Sequence, residues 1–190
     1  MADWVLAAER AYIARATGGD VPTGGRPEDL GRARAAAGAV ASHFLAIAAP
    51  RSFGLIADTA TVADAALSLA AHQTWFAPQD LRCAGPGADE LAREISGRAT
   101  SVAEALACDI VCIHAPLLLE ASALRRGTHL NVLAPATLDD ELSRLATVIH
   151  EEPGLAEVAA GLVDGRQLDE ISVFVLGNAE LALAAVSSTS

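Results

Sequence analysis

The residues able to do chemistry in this 190-residue chain fall into a few groups. The first is the turn Asp58-Thr59-Ala60-Thr61, set between the apolar run Phe53–Ala57 and the Ala-rich stretch that begins at Val62. A helix opening at such a turn presents free N–H groups, and the hydroxyls of Thr59 and Thr61 add donors, a combination suited to a phosphate. Asp58 opposes this with a negative charge and is also a residue type that caps helices. The second is Arg34, a cation on an otherwise small and apolar stretch, able to bind a carboxylate, a peptide C-terminus included, or to pair with an acid such as Glu28 or reach water. The third is His114 and His129, near strand ends, where an acid–base role needs a partner nucleophile that the sequence does not supply. The acidic clusters Asp139-Asp140-Glu141 and His150-Glu151-Glu152 read as helix caps and solvated faces rather than metal ligands. Cys83, Cys108 and Cys112 lack a C-x-x-C pair and read as buried thiols. All 13 basic residues are arginine, which excludes a Schiff-base lysine or a lysine base.

The elements that must hold these groups are legible from periodicity. Asp3–Ala16 is an amphipathic helix ended by Gly18-Gly19, and Leu30–Ala49 a second helix stopped by Pro50. From residue 52 onward strands and helices alternate. The strands read as Phe53–Ala57, Asp80–Ala84, Asp109–His114, Gly127–Leu133, Thr147–His150 and Ile171–Leu176. Helices are expected over Ala88–Ile95, Val102–Ala107, Leu138–Leu145, Pro153–Gly161 and Ala179–Val186, with Leu117–Leu124 short and helical or looped. This alternation predicts an α/β fold, a mostly parallel sheet with helices on both faces. The chain suits a single domain: N-terminal helices over 1–50, a sheet core over 51–176, and a closing helix with a polar tail over 177–190.

Composition narrows the partners. With 52% hydrophobic but 4% aromatic residues the core is built of Ala, Leu and Val, and the net charge of −11 argues against nucleic acid and anionic membranes. No apolar run is long enough to span a bilayer, and Glu9, Arg10 and Arg15 interrupt the N-terminal apolar residues, so a cytoplasmic protein is expected.

The chain resembles the ornithine cyclodeaminase/μ-crystallin family in a distributed way. Leu30–Ala46 resembles that family's R-T-A-A helix. Ser52–Ala71 resembles its first strand, dinucleotide turn and helix. Ser101–Ala115 is similar to S-x-E-E-A-x-x-x-A-D-I-V-x-x-A-T. Gly127–Asn131, GTHLN, resembles G-T-H-I-N, and Asp169–Gly177 resembles D-E-I-T-V-F-D-S-x-G. The resemblance implies a Rossmann-like fold, a nicotinamide cofactor and an amino-acid, imino-acid or keto-acid substrate. It also implies that Arg34 matches the carboxylate-binding arginine. The departures point elsewhere. Ala57, Thr59 and Val62 stand where the turn's G-x-G-x-x-G/A would be. Ala134-Pro135-Ala136 replaces the stretch that carries the family's catalytic aspartate. Only Gly18–Asp29 separates the first two helices, too short for the family's antiparallel substrate and dimerisation platform.

These departures predict a truncated, degenerate relative with no catalytic residue and no cofactor, its turn Ala57, Asp58, Thr59, Ala60 and Thr61 vestigial. The expected function is a non-catalytic, homodimeric protein that binds a peptide or protein as an auxiliary in a peptide-modification pathway. Ile171, Ser172, Val173, Phe174 and Val175, apolar on both faces and last in order, are expected at a sheet edge. There they would pair with a second copy or with an added peptide strand, with Arg34 as a further ligand contact. The alternatives are a minimal nicotinamide-dependent oxidoreductase or cyclodeaminase-like enzyme acting on an amino-acid derivative, and a subunit of a split enzyme.

Overall fold

Strand β1 (Ser52–Ala57) is buried along its whole length, which its sequence SFGLIA permits because nothing in it needs water except the Ser52 hydroxyl. It sits at the centre of a sheet, and the computed structural model, which describes residues 2–165 and 170–189, builds the rest of the fold around it. Six further strands join it: β2 (Asp80–Ala84), β3 (Arg98–Ala99), β4 (Ile110–His114), β6 (His129–Val132), β8 (Thr147–His150) and β9 (Ser172–Val175). Their order is β3-β2-β1-β4-β6-β9-β8, and every pairing is parallel. Two short strands, β5 (Leu117–Leu119) and β7 (Ala136–Leu138), form a separate parallel pair in the loops after β4 and β6. The fold is thus α/β and Rossmann-like, with all described strand pairs parallel.

Period-two alternation divides the sheet's residues between two cores. Phe53, Leu55, Ile110, Cys112 and Phe174 face helices α1 (Asp3–Thr17), α2 (Leu30–Leu45), α3 (Val62–His72) and α8 (Glu180–Ser187). Ile56, Val111, Ile113, Leu130, Val132 and Val173 face α5 (Val102–Leu106) and α6 (Asp140–Leu145). Helix α4 (Ala88–Ile95) follows β2, and the short α7 (Ala156–Ala159) packs against α1. Helix α2 is the centre of the first layer. It packs on α1, α3 and α8 and reaches β6 and β9, and ten of its residues are buried, seven of them Ala or Gly. Small side chains let four neighbours approach one helix at once.

Several expectations need correction. Ile171–Val175 is not a sheet edge: β9 is hydrogen-bonded to β6 on one side and β8 on the other, so a peptide strand cannot add there. The edges are β8 and the two-residue β3. The segment Leu117–Leu124, expected as helical or looped, opens with the strand Leu117–Leu119 before a short helical turn at Ala121–Ala123, and the helix expected over Pro153–Gly161 shortens to α7 behind an irregular turn at Glu151–Leu155. The closing helix is anchored by its last residue. Helix α8 runs to Ser187, whose hydroxyl donates to Asp29 Oδ2 at 2.9 Å and accepts from Arg26 N at 2.9 Å. Asp169 and Ser190 lie outside the described residues. Among those described, no helix is long and apolar enough to cross a membrane.

Gly54 shows how tightly the layers close on β1. A Cβ there would lie 2.4 Å from the carbonyl oxygen of Ala105, a backbone atom of α5 that cannot rotate away. Gly54→Ala should therefore force α5 off the sheet, costing about 1–3 kcal/mol and lowering Tm by about 3–10 °C in thermal melts.

Candidate functional site

In a doubly wound sheet, ligands bind outside the carboxyl ends of the strands at the point where the winding reverses. Here that point lies between β1 and β4, whose last paired residues are Ala57 and His114. The turn after Ala57 is closed by its own side chains. Thr61 Oγ1 accepts from the Asp58 N–H at 3.0 Å and donates to the Asp58 carbonyl at 3.2 Å, so this hydroxyl is consumed in starting the helix. Thr59 and Ala60 remain exposed at the tip, and their N–H groups open the helical run that α3 continues.

Two glycines lie opposite the turn. The loop Gly85-Pro86-Gly87 after β2 lies directly on it, with the Gly87 N–H donating to the Ala57 carbonyl at 3.0 Å. A Cβ on Gly85, whose φ is +91°, would sit 2.6 Å from the Ala57 oxygen, and one on Gly87 would sit 2.8 Å from the Asp58 oxygen. They let the β2 loop close on the turn, a contact distinct from the approach to a pyrophosphate that glycines within the turn would allow. As a dinucleotide site the arrangement fits in part. The free N–H groups of Thr59 and Ala60 and the Thr59 hydroxyl suit a phosphate. β2 ends in Gly85-Pro86-Gly87 rather than in an acid placed to hold a ribose diol, and the half-buried Asp58 stands beside the phosphate position.

Behind the turn, a chain of buried polar side chains ties α2 and α3 to the sheet. Ser172 Oγ lies 2.8 Å from His129 Nδ1, and His129 Nε2 lies 3.2 Å from Asn131 Oδ1. The Asn131 amide donates to Ser42 Oγ at 2.8 Å, and Ser42 Oγ lies 2.8 Å from His72 Nε2. His72 Nδ1 lies 2.6 Å from the Ser68 carbonyl, which can only accept. That last contact fixes the rest: neutral His72 carries its proton on Nδ1, so Ser42 donates to Nε2, and His129 carries its proton on Nε2 to reach Asn131 Oδ1. Every member then has one donor and one acceptor in place. Burial keeps the rings neutral, pushing His72 down to about 4 and His129 to about 3.

His114 ends this region at the crevice. Its Nε2 lies 2.9 Å from Ser68 Oγ, and the ring is almost fully buried. Burial, then His72, then Arg34 lower its pKa to about 4. Arg34, two turns above Ser42 on α2, is only half-buried. Neither Glu28 nor any other described residue pairs with it; Glu28 lies by Arg26, and Asp29 pairs with Arg26 and Arg32. Among the described residues it is the one arginine that is neither exposed nor partnered.

The other candidates have structural roles. Ile171 packs at the margin of the second core, Val173 and Phe174 are core residues on opposite faces, and Ser172 belongs to the polar chain. Asp139 caps α6 by accepting from Leu142 N at 2.6 Å. Glu151 is buried, taking the Tyr12 hydroxyl at 2.7 Å and the N–H groups of Gly177 and Ala179 at 3.1 and 3.0 Å. The three cysteines are free and buried, and burial pushes Cys83 and Cys108 up to about 11. Sequence reading missed Ser42, Ser68, His72 and Asn131, although Ser68 and His72 are spaced i, i+4 on one helix and His129 and Asn131 share one strand face.

No family model matches the chain, and no curated protein does. Solved structures match in fold. An archaeal alanine dehydrogenase dimer with bound NAD aligns with a TM-score of 0.76 at 18% identity, covering 97% of this chain and 90% of that one. The Thermococcus litoralis Δ1-pyrroline-2-carboxylate reductase in complex with NADH and L-proline gives 0.65 at 18% identity, with 82% of this chain and 63% of that one. A probable ornithine cyclodeaminase from Bordetella pertussis gives 0.65 at 24% identity, with 83% and 64%. The chain thus spans less than two thirds of the latter two. The likeness to these structures is one of fold.

Because the folded pKa values of His72, His114 and His129 lie below the ordinary histidine value, the unfolded chain binds more protons between them. The stability these rings lend is complete above about pH 6.5 and declines as pH falls toward about 4. Acidification from pH 7 to 5 should cost about 2 kcal/mol per ring, before any coupling between them. Urea melts across this range should show the midpoint dropping. A flat profile would mean that the rings are solvated.

Proposed function

We propose that the chain is a nicotinamide-dependent oxidoreductase- or cyclodeaminase-type enzyme acting on a small amino-acid-derived carboxylate. The observation that carries this reading is Arg34, a half-buried guanidinium with no ion-pair partner among the described residues, close enough to His114 at the switch point to act on it electrostatically. A cation held there without a partner is suited to an incoming carboxylate, which it can take in a bidentate fork. The fold neighbours support the class: alanine and proline, named with two of them, are both carboxylates. The phosphates of a dinucleotide would rest on the N–H groups of Thr59 and Ala60 and the Thr59 hydroxyl. When bound, its nicotinamide would supply the hydride chemistry. The chain's own part is to orient the carboxylate through Arg34, and to keep water from the inner end of the crevice with the buried layer around His114 and Ser68.

A second reading is favoured by the turn itself. Thr61 spends its hydroxyl internally, Asp58 brings a negative charge to the turn, and β2 ends in Gly85-Pro86-Gly87 rather than in an acid. These features suit a non-catalytic protein that binds a peptide or another protein, as a homodimer, through a surface other than β9.

Calorimetric titration separates the two. The enzyme reading expects micromolar binding of reduced or oxidised nicotinamide dinucleotide. It also expects carboxylate binding that weakens at least about tenfold, about 1.4 kcal/mol, in Arg34→Gln while nucleotide affinity holds. No binding at millimolar nucleotide would leave the second reading.

A further inference from the structure

The two edges of the main sheet are unlike. β3 is two residues long, both are exposed, and its Arg98 pairs with Asp80 and Glu104. Shortness and charge are devices that keep an edge from pairing with another chain. At β8 they are missing: the run Leu145–Ile149, which ends α6 and leads into the strand, carries no charge, no proline and no glycine. The Thr147 N–H donates to the Ile171 carbonyl at 2.9 Å, so Thr147 and Ile149 turn their backbone groups toward β9, and Val148 and His150 turn theirs outward. The outer side offers the N–H groups of Val148 and His150 and the carbonyls of Ala146 and Val148, and none of the four bonds to a described residue. Both cores are also unsealed here. Val148 and Ile149 are only partly buried, whereas Val173 and Phe174, one strand further in, are fully buried. Leu145, at the head of the strand, is 54% exposed.

We infer that β8 is the contact between two copies of this chain, pairing antiparallel with its own equivalent about a twofold axis through Val148. In that register the two Val148 residues exchange both N–H···O=C bonds, and each His150 N–H meets the Ala146 carbonyl of the other copy. All four open groups are used, and none already engaged is needed: the Ala146 N–H is held by the Leu142 carbonyl at 2.9 Å. A slip of one residue would set outward groups against groups turned to β9. Ile149 then lies across from Thr147 of the second copy on one face, and the two Val148 side chains meet on the other, so both cores are closed. Charge selects a second copy over an arbitrary strand. Arg144, at the end of α6, is exposed with no ion pair among the described residues, and it comes beside Glu152 of the second copy. Glu152 is also exposed, has an extended backbone, and has a 3.6 Å contact to Arg15. Two chains of net charge −11 repel over most of their surfaces. An uncharged strand with a cation at its head and a carboxylate at its tail joins opposite signs twice when antiparallel, and like signs when parallel. Neither reading of function uses β8, so the inference stands under both.

Sedimentation velocity of the whole protein over about 1–100 µM should show a monomer–dimer equilibrium with a Kd at or below about 10 µM. Arg144→Glu should weaken the dimer at least about tenfold, and the double variant Arg144→Glu, Glu152→Arg should return it to within about threefold of the original. Both side chains are exposed, so circular dichroism should be unchanged. Val148→Pro removes an outward N–H that the single chain does not use, and should give a folded monomer. Hydrogen exchange on the unsubstituted protein is a readout that needs no variant. The Val148 and His150 amides should be protected at high concentration and exchange freely on dilution, while Thr147 and Ile149 stay protected at both. A monomer at every concentration overturns the inference. So does a dimer that the Arg144 and Glu152 substitutions leave unchanged, or one in which the Val148 and His150 amides exchange freely.

Discussion

The structure depends on a constraint inside the first layer: α2 can lie against the sheet only if the polar groups trapped beneath it are all paired. His129 and Asn131 point from β6 toward a helix made largely of alanine, and a buried imidazole or amide without partners costs several times what a hydrogen bond contributes. The chain from Ser172 to the Ser68 carbonyl settles every donor with one orientation of each group. It therefore fixes the register of α2 and α3 against β6 and β9. Apolar contacts among alanines would not do this, because one Ala face resembles another after a small slide. The position of Arg34 above the crevice follows from where Ser42 must sit.

Much of this fold was legible because the strands carry their own signature. The ends of Asp80–Ala84, Ala88–Ile95 and Thr147–His150 are where hydrophobic periodicity puts them. What failed was spatial order. Ile171–Val175 comes last in the chain, yet the chain returns to insert it between β6 and the earlier β8. Its composition held the correction: apolar residues on both faces belong to a strand covered on both faces and flanked on both sides. The shorter TVIH, with polar ends, has the character of an edge. The three-residue strands β5 and β7 leave too few positions for a period to show.

The site was less legible, for a different reason. Arg34 stands out in sequence as a lone cation, and so does a turn without glycine. The relation between them does not, since it depends on α2 and α3 both beginning at the carboxyl end of the sheet. Likewise, the loss of glycine at the turn reads as loss of a tight approach. In three dimensions Gly85 and Gly87 make a different close approach, between the loop after β2 and the Ala57 and Asp58 carbonyls, which the turn's own sequence does not reveal.

That Arg34 is unpaired is itself informative in a chain with 24 acids and 13 basic residues. Acids outnumber arginines, and several arginines close by have taken them: Arg26 and Arg32 share Asp29. An acid at a helical spacing of three or four from Arg34 would be worth a few tenths of a kcal/mol on an exposed face and more on this half-buried one. The positions that could supply it are Leu30, Gly31, Ala37 and Gly38, all small or apolar. A Cβ on Gly31 would lie 2.6 Å from Asp64 Oδ1, so the Asp64 carboxylate of α3 already occupies that side of α2, one turn before Arg34, without forming an ion pair with it. A Cβ on Gly38 would lie 3.3 Å from the Leu133 methyls and 3.5 Å from Asn131 Cγ, so a longer side chain there would press on both. The packing that seats α2 thus leaves its half-buried cation without an ion-pair partner among the described residues. Its charge is left to be met by water or by an anion brought from outside.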